Sequence, residues 1–367
     1  MTRHLGRLAI LACILASVGS SSICAQTLRE AADTADVLIG TAVRPSQFKE
    51  NLYASILVRE FNMVESEDAL KWQTLRPDER NYDFRAGDEV VRFAQEHQMK
   101  VRGHCLVWGR DNPDWLGQGN LSSRQLARLL HDHISHVMKH YTGQVFAWDV
   151  INEALDEHGL LRDSIWYNQP GIGFAASGTA YIEHVFRWAH KADPRALLFY
   201  NEAEGEQLNR KSDAIYAMVK DFKRRRVPID GVGLQMHIPS LDVDIGAVTA
   251  AISANIARLS ALGLQVHITE LDISLPVDSN GMASREDLER QANLYRGVVR
   301  ACLRNPGCTA IQTWGFTDKY SWIRSHSHGT RGQALLFDRK YEPKPSYSAV
   351  LEELLAGRVS GYENSVH

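Results

Sequence analysis

Cysteine is scarce in this 367-residue sequence, with five in all, two of them in the first 24 residues. Cys105, Cys302 and Cys308 remain, so at least one of these three is unpaired within the chain. Cys302 and Cys308 lie on either side of Asn305-Pro306-Gly307, a turn that would bring them together. An exported chain permits a disulfide between them, but the residues fit two reduced thiols equally well.

A strong excess of charge of one sign is also lacking, since the formal net charge is −3. No basic surface for nucleic acid is therefore indicated, and nucleic acid is not expected as a partner. The one basic run, Lys223 to Arg226, ends a helical stretch before Val227-Pro228. Cations at a helix C-terminus complement its dipole, so this run is interpreted as a solvated helix end.

Hydrophobic runs long enough to span a membrane are absent, and the most apolar segment, near the N-terminus, is short. Arg3, His4 and Arg7 precede the apolar run Leu8 to Val18, which leads into Ser, Gly and Ala residues. This layout predicts a signal peptide over residues 1–25, because the run falls short of the roughly 20 residues that span a bilayer. The mature protein is expected to be soluble, free of membrane and secreted or periplasmic. An uncleaved N-terminal anchor, or lipid attachment at Cys13, is the alternative.

No glycine-rich phosphate loop and no low-complexity linker interrupts the rest of the chain. Eight short apolar runs alternate instead with helix-length segments such as Ser123 to His140 and Ala180 to Ala192. Such alternation predicts a parallel sheet, and eight units favour an α/β fold of the (β/α)₈ TIM barrel type, formed by one domain over residues 26–367. The runs are Val37 to Ala42, Phe61 to Val64, Val101 to Val107, Val145 to Ile151, Leu197 to Tyr200, Gly231 to Met236, Gln265 to Ile268 and Ala310 to Trp314.

Polar and aromatic residues follow these runs where each strand would end, which is the face of a barrel that carries chemistry. Burying so many charges and amides together is costly unless they pair or meet a ligand, so a polar cleft is predicted. Carboxylates, amides and tryptophans together suit a sugar, whose hydroxyls need hydrogen bonds and whose ring faces stack on aromatics. The residues are Glu67, Asp68, Lys71, His104, Trp108, Asn152, Glu153, Asn201, Glu202, Gln235, His237, Glu270, Asp272, Trp314, Asp318 and Trp322.

Two of these carboxylates, Glu153 and Glu270, follow the fourth and seventh runs and would face each other across the barrel mouth. Such a pair is the equipment of glycosidic cleavage. Glu270 would be held ionised by His237 and nearby donors, as a nucleophile requires. Glu153 would lie among apolar and aromatic groups, which suits an acid/base residue. The residues alone fit ordinary ion pairs at the barrel rim equally well.

The segments around both carboxylates resemble the active-site segments of family 10 glycoside hydrolases, which are mostly endo-β-1,4-xylanases. Trp148 to Ala154 and Ile268 to Ile273 carry the resemblance, and further similar segments run in family order from about residue 30 to 355. These are Lys71-Trp72, Val101 to His104, Leu106 to Trp108, Gly231 to His237, Trp314 to Asp318, Leu336 to Asp338 and Pro343 to Pro345.

The resemblance implies a retaining endo-1,4-β-xylanase acting on xylan or xylo-oligosaccharides, without cofactor or metal and as a monomer. It implies Glu270 as nucleophile, Glu153 as acid/base and Asn152 as the group that binds the sugar 2-hydroxyl. His237 would orient Glu270, backed by Asp272. It also implies a disulfide between Cys302 and Cys308, and a glycone-side wall formed by Glu67, Lys71, His104, Trp108, Gln235, Trp314 and Trp322.

Three positions depart from the family pattern, and all lie in the substrate wall. Asp68 stands where Asn is usual, and Gly109 stands where His commonly follows the Trp. Asn201-Glu202-Ala203-Glu204 replaces Asn-Asp-Tyr-Asn, so the glycone-side tyrosine is missing. These departures leave the identity of the substrate open while the carboxylate pair is retained.

Three other functions compete with a xylanase. The first is hydrolysis of another β-linked glycoside, such as a β-glucan, a cellobioside or a saponin. The second is a sugar-binding barrel without catalysis. The third is a metal-dependent hydrolase using His131, His133 and His136, although His131 and His133 would point apart on a helix.

Overall fold

The computed structural model describes residues 26–239 and 242–358. The predicted signal peptide, including Cys13, lies outside these residues. No helix in the described part of the chain is long and apolar enough to cross a membrane.

Eight parallel strands close into a barrel in the order of the sequence. The eighth strand pairs both with the first, where Leu38 lies opposite Ala310, and with the seventh, where Cys308 lies opposite Val266. The predicted (β/α)₈ barrel is therefore confirmed. The strands are β1 (Leu38–Val43), β2 (Met63–Ser66), β3 (Lys100–Gly103), β4 (Ala147–Asn152), β5 (Leu197–Glu202), β6 (Gly231–Leu234), β7 (Gln265–Ile273) and β8 (Cys308–Thr313).

Helices connect the strands and cover the outside of the barrel. The two helices predicted over Ser123 to His140 and Ala180 to Ala192 have those bounds in the structure. The helices are α1 (Leu28–Thr34), α2 (Asn51–Glu60), α3 (Trp72–Leu75), α4 (Arg85–Glu96), α5 (Asp114–Gln118), α6 (Ser123–His140), α7 (Ala180–Ala192), α8 (Arg210–Arg224), α9 (Ile245–Ser260), α10 (Arg285–Leu303), α11 (Ile323–His326) and α12 (Pro345–Ala356).

Capping side chains explain where several of these helices begin. Asn209 accepts a hydrogen bond from the backbone N–H of Ser212 at the start of α8, and Ser284 does the same for Asp287 at the start of α10. Each bond satisfies one of the N–H groups that the first helical turn leaves without a partner. These caps therefore define the residues at which α8 and α10 begin.

Two strands differ from the apolar runs that predicted them. β3 ends at Gly103, four residues before the run ends, although Leu106 still donates to the carbonyl of Asp149 and Val107 accepts from Asn152. The chain therefore follows β4 without a regular ladder. β7 continues five residues beyond its run to Ile273, because the short strand His237–Ile238 pairs with its end.

The implied disulfide is present, joining Cys302 at the end of α10 to Cys308 at the start of β8, with Cα atoms 5.2 Å apart. Cys105 is a buried free thiol. Asp318, which follows β8, forms an ion pair with Lys344 at 3.0 Å, and its carboxylate also accepts a hydrogen bond from the backbone of Leu335. It therefore stabilises the loops after β8 and lies apart from the cleft described next.

Candidate active site

A cleft of about 660 Å³ opens at the C-terminal ends of the strands. Every predicted site residue except Asn201 and Asp318 lines it, and Asn201 lies fully buried directly beneath. The predicted residues in the lining are Glu67, Asp68, Lys71, His104, Trp108, Asn152, Glu153, Glu202, Gln235, His237, Glu270, Asp272, Trp314 and Trp322. The barrel thus brings predicted side chains from seven of its strand ends and their loops into one polar cleft.

Glu270 projects from β7 into the floor of this cleft, and both of its oxygens are held. Oε1 accepts a hydrogen bond from the amide of Asn201 at 2.8 Å, and Oε2 lies 3.0 Å from Nε2 of His237. Burial raises the pKa of Glu270, but the hydrogen bond from His237 and the charge of His104 lower it further than burial raises it. The pKa of Glu270 therefore lies below the ordinary carboxyl value, and the group is an anion over the neutral range.

His237 is itself held between two carboxylates. Its Nδ1 lies 3.0 Å from Oδ2 of Asp272, and the indole N–H of Trp322 donates to the same oxygen at 2.8 Å. Burial lowers the pKa of His237, but the charges of Asp272 and Glu270 raise it well above the ordinary value. The ring is therefore an imidazolium with a carboxylate 3.0 Å from each nitrogen, and its Nε2–H donates to Glu270.

A chain of amides connects Glu270 to Glu153. The amide nitrogen of Asn201 donates to Oδ1 of Asn152 at 2.9 Å as well as to Glu270, and Thr269 donates to Oδ1 of Asn201. Gln235 donates to Oδ1 of Asn152 and to Oε1 of Glu153, both at 3.2 Å. Since two donors occupy the oxygen of Asn152, its amide N–H₂ is left for a ligand in the cleft.

Glu153 follows β4 with a backbone φ of 52°, a left-handed conformation that is uncommon outside glycine and is concentrated at functional sites. Aromatic and apolar residues lie near Glu153, as expected, but the direct contacts of its carboxyl oxygens are polar. Its oxygens face the indole N–H of Trp108 at 3.2 Å, the amide of Gln235 and the guanidinium of Arg110 at 3.6 Å. Trp108 and Arg110 come from the segment after β3, and Gln235 directly follows β6.

The predicted wall is built around Lys71. Its ammonium lies 4.9 Å from the ring centre of Trp108 and 5.9 Å from that of Trp314, and His104 meets the Trp314 ring edge-on at 5.3 Å. A buried cation next to aromatic faces offers a sugar both hydrogen-bond donors and a stacking surface. Trp72, next to Lys71, instead packs in the core against Trp166.

Asp68 changes the electrostatics of this wall. Its carboxylate lies 3.3 Å from the guanidinium of Arg44 and 3.5 Å from the ammonium of Lys71, while Arg44 also pairs with Glu67 at 2.8 Å. A carboxylate accepts hydrogen bonds and donates none, so this position lacks the N–H₂ that an Asn would present. The departure thus alters which hydroxyl contacts this part of the wall supports.

Several lining residues were missed from the sequence, among them Arg44, Arg110, Arg162 and Arg331. Arg44 directly follows β1 and Arg331 lies in the short strand Arg331–Gly332, whereas Arg110 and Arg162 lie on loops. No spacing pattern distinguishes such a cleft arginine from a surface one. Gly109 borders a small cavity beside Glu153 that Arg162 and Tyr181 also line. The absence of a side chain at Gly109 therefore leaves space next to Glu153, the acid/base candidate.

Glu202 was noted at a strand end, but its partners were not foreseen. It accepts from the backbone N–H of Leu155 at 3.0 Å and from the hydroxyl of Tyr200, and forms a buried ion pair with Lys211 at 3.0 Å. Leu155 is two residues beyond Glu153. Glu202 therefore fixes the loop that carries Glu153.

The histidines of α6 do not converge. His133 is buried and stacks on Trp72 at 3.8 Å, whereas His131 packs against Trp188 and His136 against Tyr82. Among the residues that the structure describes, one trio has potential ligand atoms within 4.8 Å of one another: Glu65, His104 and Glu270. This trio belongs to the cleft floor and not to α6.

A (β/α)₈ barrel whose cleft holds a fixed carboxylate anion and a second carboxylate among N–H donors defines a two-carboxylate glycoside hydrolase. Comparison with known families agrees. The sequence model of glycosyl hydrolase family 10 matches residues 27–353. The chain belongs to this family.

Individual relatives cover most of the chain. Endo-1,4-beta-xylanase B of Thermotoga neapolitana is 38% identical over 348 residues, which is 94% of this chain and 95% of that protein. The crystal structure of xylanase 10B from Thermotoga petrophila RKU-1 in complex with xylobiose has a TM-score of 0.83 and 38% identity, covering 89% of this chain and 97% of that one.

One relative carries a different name. Exoglucanase XynX of Acetivibrio thermocellus is 36% identical over 328 residues, which is 86% of this chain. The chain spans only 28% of the length of that protein. Similarity of this extent therefore includes proteins named for two different β-glycan substrates.

Proposed function

We propose that this protein is a retaining endo-1,4-β-xylanase that cleaves internal bonds of xylan or xylo-oligosaccharides. The observation that carries the proposal is the clamp on Glu270, whose two oxygens are held by Asn201 and His237. A carboxylate fixed in position and kept ionised is a nucleophile prepared for attack. The names of the xylanase relatives and the xylobiose complex of a neighbour support the choice of xylan.

In the first step an oxygen of Glu270 attacks the anomeric carbon while the bond from that carbon to the leaving oxygen breaks. Glu153 gives its proton to the leaving oxygen. In the second step water attacks the same carbon, Glu153 takes a proton from the water, and the ester to Glu270 breaks. The free N–H₂ of Asn152 would bind the 2-hydroxyl, where a hydrogen bond strengthens toward the transition state.

A cello-oligosaccharide is the second candidate substrate, because Asp68, Gly109 and Ala203 alter the wall and one relative is named an exoglucanase. Assays of xylo- and cello-oligosaccharides of equal length, with the same enzyme preparation, separate the two. The proposal expects the higher kcat/KM on the xylo series. A preference for the cello series would overturn the xylanase assignment while leaving the glycosidase chemistry in place.

The variants Glu270→Gln and Glu153→Gln test catalysis against mere sugar binding. Glu270→Gln should lower kcat by about 10⁴-fold or more, because an amide cannot replace the carboxylate as the attacking group. Xylo-oligosaccharide binding, measured by calorimetry, should persist in Glu270→Gln. A wild-type protein that binds but does not turn over these sugars would instead be a binding barrel.

The leader read from the sequence supports the further proposal that the enzyme acts outside the cytoplasm. N-terminal sequencing of the protein recovered from the periplasm or the medium is the direct test. A mature chain that begins near residue 26 is expected, and a cell-associated chain that begins at residue 1 or 2 would contradict export.

A further inference from the structure

We propose that Asp149 is a second positioning residue for Glu270, acting through His104 in addition to the Asp272–His237 pair. The inference rests on the proposed function, because it assigns a task to a residue beneath the proposed nucleophile. Asp149 lies on β4, fully buried, and does not line the cleft. Its effect on the reaction must therefore pass through a neighbour.

His104 is that neighbour. Its Nδ1 lies 3.0 Å from Oδ2 of Asp149. One of its ring nitrogens lies within 4.8 Å of a carboxylate oxygen of Glu270 and of one of Glu65. The ring is 2% exposed, so water screens these charges weakly. An Asp–His pair therefore faces Glu270 from β3 and β4, as Asp272 and His237 do from β7 and the loop after β6.

The position of Asp149 is fixed independently of His104. The guanidinium of Arg102 contacts both of its oxygens, and the same guanidinium lies 3.1 Å from Glu65 and 2.7 Å from Nδ1 of His267. All of these side chains are buried. A carboxylate that is fixed by a buried arginine gives the imidazole a fixed acceptor.

The charges of this floor balance when His104 is an imidazolium. Burial lowers the pKa of His104, but the hydrogen bond with Asp149 and the negative charge of Glu270 contribute to raising it above the ordinary value. Burial raises the pKa of Glu65 far above its usual range, so Glu65 is neutral over the acidic range. The cations Arg102 and His104 then offset the anions Asp149 and Glu270.

A further charged group against Glu270 is the imidazolium of His237, which Asp272 compensates. Charge on His104 is among the causes that lower the pKa of Glu270. Removing the negative charge of Asp149 weakens the reason for His104 to stay protonated. Glu270 would then lose part of its stabilisation as an anion, and it would take up a proton at a higher pH.

The test is the pH dependence of kcat/KM on a xylo-oligosaccharide for Asp149→Asn. The acid limb should move to higher pH and kcat should fall at least about 10-fold, because the orienting carboxylate of a histidine dyad is lost, while KM changes little. Glu60→Gln is the matched control. Glu60 is also a buried carboxylate with several partners, including Leu28 and Tyr347, but it lies at the end of α2 away from the cleft. Glu60→Gln should lower the stability of the protein and leave the acid limb of its kcat/KM profile at the wild-type pH.

A double variant separates positioning from a structural effect. In His104→Gln the acid limb should also move, and adding Asp149→Asn should move it no further, because the ring that transmits the effect is gone. An unmoved limb in folded Asp149→Asn, or fully additive shifts in the double variant, would overturn the inference. If Asp149→Asn does not fold, an unmoved limb in His104→Gln overturns it alone. Wild-type failure on every xylo-oligosaccharide would reject the proposed function instead.

Discussion

Nε2 of His237 lies 3.0 Å from Oε2 of Glu270, and the hydrogen bond from this imidazolium lowers the pKa of the carboxyl more than any other partner does. The contact joins a residue after β6 to one on β7. It therefore depends on the closed barrel, which places the loops of neighbouring strands over one floor.

Replacing His237 by Gln should raise the pKa of Glu270, since the positive charge is lost. The acid limb of the pH profile of kcat/KM then moves to higher pH. Activity at its optimum should fall by about 10- to 100-fold, the value of one charge-assisted hydrogen bond. Steady-state kinetics across pH are the measurement, and an unchanged acid limb would show that Glu270 does not depend on His237.

Asn201 should tolerate no negative charge. In Asn201→Asp a second carboxylate would lie about 2.8 Å from Oε1 of Glu270, and like charges this close raise one pKa strongly. We expect a loss of kcat/KM that is largest at low pH and smaller at high pH. Asn201→Ala serves as the control, because it removes the amide donor without adding charge and should lose activity with a weaker pH dependence.

Glu202 should matter for both stability and activity. Burial raises the pKa of Glu202 to about 7, against the lowering effect of Lys211. Glu202→Ala leaves Lys211 buried and unpaired, which should cost about 3 to 5 kcal/mol of unfolding free energy in urea. kcat should fall too, because the loop after Glu153 loses its anchor at Leu155.

The raised pKa of Glu202 also sets the sign of a pH effect. The folded state holds this proton more tightly than the unfolded chain, so the contribution of Glu202 to stability is full at low pH and declines as pH rises toward about 7.

The double variant Glu202→Gln, Lys211→Met is the control for Glu202→Ala. It removes both charges and should recover part of the stability that Glu202→Ala loses. No recovery would mean that the ion pair is not the source.

The disulfide should contribute to stability alone. The bond closes a loop with a sequence separation of six at the end of the barrel away from the cleft. Replacing Cys302 and Cys308 by Ser should lower the unfolding free energy by about 2 kcal/mol through loop entropy and leave kcat unchanged. Urea unfolding of the variant is the measurement, and a large fall in kcat would show that β8 transmits strain to the site.

Barrel architecture is readable from the sequence because strands buried on both faces are apolar throughout. β4 is entirely buried, and the run that predicted it differs from its observed bounds by no more than two residues. Polar residues at the ends of such runs stand out for the same reason. The position of Glu153, Glu270 and His237 around one cleft could therefore be predicted from the sequence.

The surroundings of those residues were harder to foresee. Arg110 reaches Glu153 from a loop whose path depends on packing between β3 and β4, and Lys211 pairs with Glu202 from the start of α8. Neither contact has a spacing signal, since the partners meet only in three dimensions. The contact between Asp149 and Arg102 could not be predicted either, because Arg102 lies within the strand β3 and nothing in the sequence indicates its partner.

The anomeric configuration of the first product tests the central claim most directly. NMR of freshly cleaved xylo-oligosaccharide, recorded before mutarotation, should show the β-anomer first, because two displacements by Glu270 and then water retain configuration. Initial release of the α-anomer would show a single displacement and would contradict a covalent intermediate on Glu270.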